Sequence, residues 1–423
     1  MALLLAIALP SANSHAQSVD PTGQTIIFWH PHTGERETAL DDLVAQFNAE
    51  NEWKITVETR SWQNPGLLYD QIVLQLTTPP ESRTLPNIFV AAPYETAMFS
   101  LGGPILDLTP FIQDAEWGFS DEADFVPSIS DLGHDPFTNT QLGWPERLFA
   151  ESLYVNMTGL REIGFDLPPT NLDELREMAC DYFAQTDAPA FQLETRAPVW
   201  AGLATANGNP IFDGIAYTLN TEGMRKSLEM MNHLLAEGCI VRQMTPFAAQ
   251  DDFTAGRALF YFGSTSALPI IRETINKNPF DWDIAPLSNK PYISGPTLSI
   301  FSHSSEADLA AWLFLRWWVS PEINAAWSRA TGSLPIRLSA GEMMTEDFYP
   351  QWQAAWGMVY QGGYFEPSVA AQDVVRLEIE FAIGRILDNP MTVDQELSAL
   401  NDLANEILSE YAPTDPTTKQ ASP

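Results

Sequence analysis

The sequence predicts a mixed α/β protein built on a parallel, doubly wound sheet with helices on its faces. Three observations carry that prediction: strand and helix patterns alternate over the first ninety residues, helical spacing dominates from Asp173 onward, and strand signals return late in the chain. Alternation of this kind brings parallel strands together through right-handed crossovers.

Thr25-Ile26-Ile27-Phe28-Trp29 reads as a buried strand, and Leu40, Leu43, Val44 and Phe47 then fall at helical spacing within Thr38 to Ala49. Ile55 to Thr59 alternates as a second strand, Tyr69 to Leu76 is helical, and Asn87-Ile88-Phe89-Val90 is a third strand. Helices are expected over Asp173–Phe183 and Gly223–Leu235, and strands over Ala258–Phe262 and Leu298–Phe301. Gly143-Trp144-Pro145 and Gly295-Pro296 are breaker clusters between periodic segments. No internal repeat is evident. Residues 412–423, rich in Pro, Thr and Ser, are expected to form a loose tail.

Composition narrows the function classes. The 423 residues include 55 Asp and Glu against 21 Lys and Arg, a formal charge of −34. Such a chain repels polyphosphate and anionic lipid, so neither nucleic acid nor a membrane surface is an expected partner. Its 45% hydrophobic content, with 13 Trp and 23 Phe, separates it from disordered acidic proteins. The length suits two or three compact units.

Met1 to Leu9 is an apolar run too short to span a bilayer, followed by small residues at Ser14 and Ala16. Residues 1–16 are therefore expected to be a signal peptide cut before Gln17, which places the protein in the periplasm or outside the cell. The two cysteines, Cys180 and Cys239, are compatible with an exported chain, either as a disulfide or as two buried thiols. Neither has a His or a second Cys at ligand spacing, so no zinc site is expected.

The order of short motifs resembles the extracellular solute-binding proteins of ABC importers, in the branch that contains maltose, multiple-sugar and glycerol-phosphate binders. Phe28-Trp29-His30, Thr33-Gly34 and Phe47-Asn48-Ala49-Glu50-Asn51 are similar to that family's first β-α unit. Leu153-Tyr154-Val155-Asn156 followed by Gly164 to Leu175, with Pro168-Pro169-Thr170 inside it, is similar to its middle block. Asp252 to Ala258 leading to Phe262-Gly263-Ser264 resembles its Phe-x-x-Gly-x-Ala…Gly-Ser strand. Ala310 to Leu315, Ser320-Pro321-Glu322 and Thr331 to Arg337 resemble the late block. The likeness runs from about residue 24 to 410.

The resemblance implies a class II, periplasmic-binding-protein-like fold of two α/β lobes joined by a hinge that the chain crosses several times. By that analogy lobe one holds residues 20–145 and 291–340, and lobe two 146–290 and 341–411. It implies a non-enzyme that captures a sugar or oligosaccharide in the interlobe cleft and delivers it to permease subunits in the membrane. The protein is expected to be monomeric and to need no cofactor. It also implies a Cys180–Cys239 disulfide, because a group within the family carries one Cys on the helix after Pro-Pro-Thr and another in a Gly-Cys pair.

A sugar site needs aromatic platforms for C–H faces and polar side chains for hydroxyls. Where strands end and loops begin, the candidates are His30, Trp62, Tyr94, Glu95 and Trp144, with Trp200 in the Arg196–Gly208 loop, and Tyr292 is a further one. Gly263 and Ser264 offer backbone N–H groups and a hydroxyl, and Arg337 a bidentate fork. Lysine is confined to Lys54, Lys226, Lys277, Lys290 and Lys419, which favours a neutral solute over glycerol phosphate or another anion, although Arg147, Arg196 and Arg337 keep the anion open. A secreted glycoside hydrolase is the alternative of another class, resting on Asp41-Asp42, Asp121-Glu122 and Asp251-Asp252, which in an acidic chain read better as solvated faces. His30-Pro31-His32 reads poorly as a metal pair, and Asn156-Met157-Thr158 better as part of the Tyr-x-Asn block than as a glycosylation sequon.

Overall fold

Two open sheets organise the chain, each with helices on both faces. The computed structural model describes residues 19–411 apart from 287 and 289, so the expected signal peptide and loose tail lie outside the described residues. Sheet one joins strands β1 (Thr25–His30), β2 (Thr56–Ser61), β3 (Ile88–Ala91), β4 (Trp144–Pro145) and β9 (Thr297–Ile300) in the order β2-β1-β3-β9-β4. Sheet two centres on the long strand β5 (Phe149–Asn156), which pairs with β6 (Phe260–Ser264), β7 (Trp282–Ala285) and β8 (Tyr292–Ser294), while β8 also pairs with β10 (Tyr364–Phe365).

The expected parallel pairing holds for β1 with both β2 and β3, in register Thr25 opposite Thr56 and Phe28 opposite Ile88. β9 and β4 then enter sheet one antiparallel, and sheet two is antiparallel around β5. The reason is connectivity: a β-α-β crossover returns the chain in the same direction, whereas β9 arrives from sheet two with no helix to turn it, and β4, which precedes sheet two, runs with β3 and is antiparallel only to β9. Sheet membership also moves one switch. Tyr292–Ser294 pairs with β5 and β10 in sheet two, so the chain passes to sheet one at Gly295-Pro296 rather than at residue 291.

Local signals explain the helix starts. Asn64 accepts a hydrogen bond from Leu67 N–H and Pro65 takes the first helical position of Pro65–Thr77. Asn171 caps Leu172–Thr186 through Glu174 N–H, and the Glu174 carboxylate reaches back to Thr170. Thr221 and Ser304 cap Glu222–Ala236 and Ser305–Trp318. Asn156, the asparagine of Asn156-Met157-Thr158, is buried and caps Met157–Glu162 through Gly159 N–H.

Three core layers result. One face of sheet one packs on helices Glu35–Glu50 and Ser305–Trp318, where Phe28, Phe47, Phe314 and Trp318 meet edge to face. Its other face packs on Pro65–Thr77 and Pro93–Ser100 through Leu68, Ile72, Phe89 and Phe99. Sheet two carries Leu153, Val155, Phe260 and Phe262 against Ala197–Ala206, Glu222–Ala236 and the C-terminal helices Gln372–Asp388 and Val393–Tyr411. Tyr154, Tyr261 and Trp282 on its reverse face join the layer that also holds Trp352. The expected bridge is present: Cys180 and Cys239 form a disulfide that ties Leu172–Thr186 to the turn after Glu222–Ala236.

Candidate ligand-binding cleft

Where the two sheets face each other, a cavity of about 260 Å³ opens between the ends of β1 and β3 on one side and the start of β5 and the end of β10 on the other. This is near the lower limit of the roughly 300–1,000 Å³ typical of small-molecule sites. Tyr69, Tyr94 and Glu95 supply one wall, Phe149 and Glu366 the other, and Gly295-Pro296 the hinge side.

Short-range rules place these groups. Ala91 ends β3, and Pro93 at the first position of the next helix forces an abrupt strand-to-helix turn that aims Tyr94 and Glu95 at the cavity. Glu95 Oε2 accepts the Ala92 N–H at 2.8 Å, so this carboxyl also closes the helix start. Gly295 has no room for a side chain, because a Cβ there would collide with the Arg147 carbonyl oxygen.

Arg376, the fifth residue of the helix Gln372–Asp388, connects the two walls. Its Nη1 donates to Tyr94 Oη at 2.8 Å and to Glu366 Oε1 at 3.1 Å, with the guanidinium 5.2 Å from the Tyr94 ring. Tyr292 Oη donates to the same Glu366 oxygen at 3.5 Å. Burial dominates the electrostatics. It pushes the Glu95 carboxyl up to about 7, with Asp373 and Glu366 adding to the rise and the Ala92 N–H opposing it. Glu366 is also raised by burial, against the pull of Arg376. Glu151, two residues past Phe149 on the same face of β5, is pushed up to about 7 by burial, and its Oε2 has no hydrogen-bond partner.

Of the residues singled out from sequence, Tyr94 and Glu95 line this cavity together. His30 ends β1 next to cavity-lining Pro31, but its ring is buried, stacked on His32 at 5.6 Å, and burial holds its pKa down to about 4. Trp62 packs half-buried on Trp29 with Arg60 4.2 Å from its ring. Tyr292 is buried and reaches the site only through Glu366.

The remaining candidates are placed elsewhere. Trp144 is buried against Phe119 and Phe125 in the sheet-one layer. The Arg196–Gly208 stretch, read as a loop, is the helix Ala197–Ala206, and Trp200 within it is 0% exposed, its Nε1 donating to Glu194 O at 2.9 Å. Gly263 exists for packing: a Cβ there would run into the Tyr261 ring, and its carbonyl accepts from Ser152 Oγ. Ser264 Oγ caps the turn that follows by accepting from Ser266 N–H. Arg337 spends its fork inside the molecule, on Val319 O, Asp121 and Asp124, over the Phe125 ring. A buried arginine without carboxylates would be prohibitively costly, and neither Arg337 nor the two it found lines the cavity.

Tyr69, Phe149, Glu366 and Arg376 line or brace the cavity and were not singled out from sequence. Tyr69 sits among the apolar residues of a helix, and Arg376 follows five apolar or small residues out of seven in Val369–Val375 with no motif to mark it. The only local hint is Glu366 before Pro367, where a turn after two aromatic residues carries a carboxyl.

Comparison with known proteins agrees with this architecture. A family model described as bacterial extracellular solute-binding protein matches residues 42–358. The sn-glycerol-3-phosphate-binding periplasmic protein UgpB of Shigella dysenteriae serotype 1 is 27% identical over 429 residues, covering 94% of this chain and 91% of the relative. Among solved structures, the sugar-binding protein MalE from Xanthomonas citri superposes with a TM-score of 0.78 at 18% identity, over 94% of this chain and 100% of that one. The cyclic alpha-maltosyl-1,6-maltose binding protein from Arthrobacter globiformis does so with 0.77 at 21% identity, over 91% and 99%. At these identities the two structures speak for the fold alone.

Proposed function

Because the chain belongs to the bacterial extracellular solute-binding proteins, we propose that it is the substrate-binding component of an ABC importer, holding a carbohydrate-type solute in the cavity between its lobes. The observation that carries this reading is the pairing of Tyr69 and Tyr94 rings with the Glu95 and Glu366 carboxyls around one interlobe cavity. Aromatic faces receive the C–H side of a sugar or polyol, and carboxyls receive its hydroxyls. Arg376 joins Tyr94 of one lobe to Glu366 of the other, the kind of contact that forms when lobes close around a solute. The working cycle is then capture and closure outside the cytoplasm, docking on permease subunits, and release, with no bond of the solute made or broken. Lobe one comprises residues 20–145 and those after the Gly295-Pro296 crossing, to about residue 340, and lobe two the remainder to residue 411.

A second reading is favoured by one specific feature. The relatives named for sn-glycerol-3-phosphate, together with Arg376 beside the cavity, support a glycerol-phosphate-type solute. A thermal-shift screen with monosaccharides, disaccharides, polyols and glycerol phosphates separates the two, since a ligand of the folded state raises the melting temperature by mass action. A sugar or polyol is expected to produce the largest shift, and calorimetry is expected to give one site per chain with the ligand recovered intact. Turnover of a glycoside by substoichiometric protein would replace this reading with a hydrolase, and a screen in which no sugar, polyol or glycerol phosphate binds would remove it.

A further inference from the structure

The charges around the cavity do not balance. Each arginine near it already has its own carboxylate: Arg147 lies 2.9 Å from Glu146, Arg376 lies 3.1 Å from Glu366, and Arg196 is paired with Glu194. Glu95 and Glu151 form no ion pair among the described residues, and no lysine lines the cavity. Glu95 faces the cavity directly, while Glu151 is 5% exposed, with Oε2 unpartnered, one strand repeat behind cavity-lining Phe149. An ionised carboxyl in such a place is costly unless something positive neutralises it.

We propose that the solute carries a cationic nitrogen, as an amino sugar or an amine-bearing polyol does, and that Glu95, with Glu151 behind Phe149 in the opposite wall, is the carboxyl that selects it. The inference rests on the interlobe cavity being the solute site. The geometry supplies what an ammonium group needs: a carboxyl at the cavity wall and the rings of Tyr69 and Tyr94 beside it, whose faces attract cations. The Tyr94 ring already holds the Arg376 guanidinium at 5.2 Å, which shows the ring in that role within the same site. An anionic group finds the opposite, since it would have to displace Glu366 from Arg376 or Glu146 from Arg147 while sharing the cavity with Glu95. The lifted titration of Glu95 fits a site whose counter-ion arrives with the ligand, and burial lifts Glu151 as well, against the pull of Arg196.

Calorimetry on the full chain with matched probes tests this: glucose, glucosamine and N-acetylglucosamine, then cellobiose and the disaccharide of glucosamine, and glycerol 3-phosphate. Glucosamine or its disaccharide is expected to bind at least about tenfold more tightly than its neutral partner, and N-acetylation, which keeps the nitrogen and removes its charge, is expected to erase the advantage. Glu95→Gln is expected to level amine and neutral probes, and Glu151→Gln to reduce the preference. Equal or tighter binding of the neutral sugar, of the N-acetyl form or of glycerol 3-phosphate overturns the proposal while leaving the importer reading standing. Binding of none of the probes overturns both. The N-acetyl comparison decides the matter on the unaltered protein if either variant fails to fold.

Discussion

At the residue scale, the cleft is a set of buried charges whose partners decide their state. Glu95 and Glu151 hold their protons to about 7, well above the ordinary carboxylate range. Between those limits the folded chain binds more protons than the unfolded one, so these two groups subtract stability as pH rises through that window. Glu151→Gln, which removes a buried ionisable group without changing shape, is expected to raise the melting temperature at about pH 8 by several degrees and to leave it nearly unchanged at about pH 4.5, read by calorimetric scans. His30 behaves with the opposite sign. Burial keeps it neutral, so protonating the unfolded chain below its ordinary value costs stability as pH falls. Tyr94→Phe tests the cross-lobe contact at the same scale: losing the hydroxyl that accepts from Arg376 is expected to weaken solute binding roughly three- to tenfold, with the melting temperature of the free protein little changed.

At the element scale, two devices hold the hinge and lobe two. Gly295 lets β8 pass into β9 directly against the Arg147 carbonyl. Gly295→Ala is expected to force the crossing apart and reduce solute affinity about tenfold or more, measured by calorimetry, because wall and hinge meet at this point. The Cys180–Cys239 disulfide closes a span of 59 residues between the helix Leu172–Thr186 and the turn after Glu222–Ala236. Loop-closure entropy puts its contribution at about 4 kcal/mol. Reduction is therefore expected to lower the melting temperature by more than about 8 °C, followed with and without a thiol reductant. The four helices read from periodicity are present, and three of them start at Asn64, Asn171 or Thr221, whose side chains cap N–H groups within four residues. Trp200 illustrates the failure: Arg196–Gly208 was read as a loop, yet Pro198 is tolerated at the second position of the helix Ala197–Ala206, and that helix buries the ring completely.

At the scale of the whole molecule, the formal charge of −34 sits on a fold whose cleft arginines are all paired. Self-repulsion of the excess carboxylates opposes compaction, so moderate salt is expected to raise the melting temperature by screening it, seen as a steady increase up to physiological ionic strength and beyond. Closure around a solute is a motion at this scale, and small-angle scattering is expected to show a smaller radius of gyration with the best ligand than without it.

The sequence by itself determined the α/β class, the first five elements and the two breaker clusters, because strand and helix periods and Pro or Gly breaks are set by neighbours along the chain. The resemblance of ordered motifs added the two lobes and the disulfide. Only the tertiary structure decided which aromatic and charged side chains meet. Trp144, Trp200 and Arg337 turned inward because large rings and an arginine with two carboxylates are better placed in packed, paired surroundings. Tyr69, Phe149, Glu366 and Arg376 came to one cavity from segments as much as three hundred residues apart. No local pattern records that meeting, which exists only once sheet pairing and helix packing have fixed the walls of the cleft.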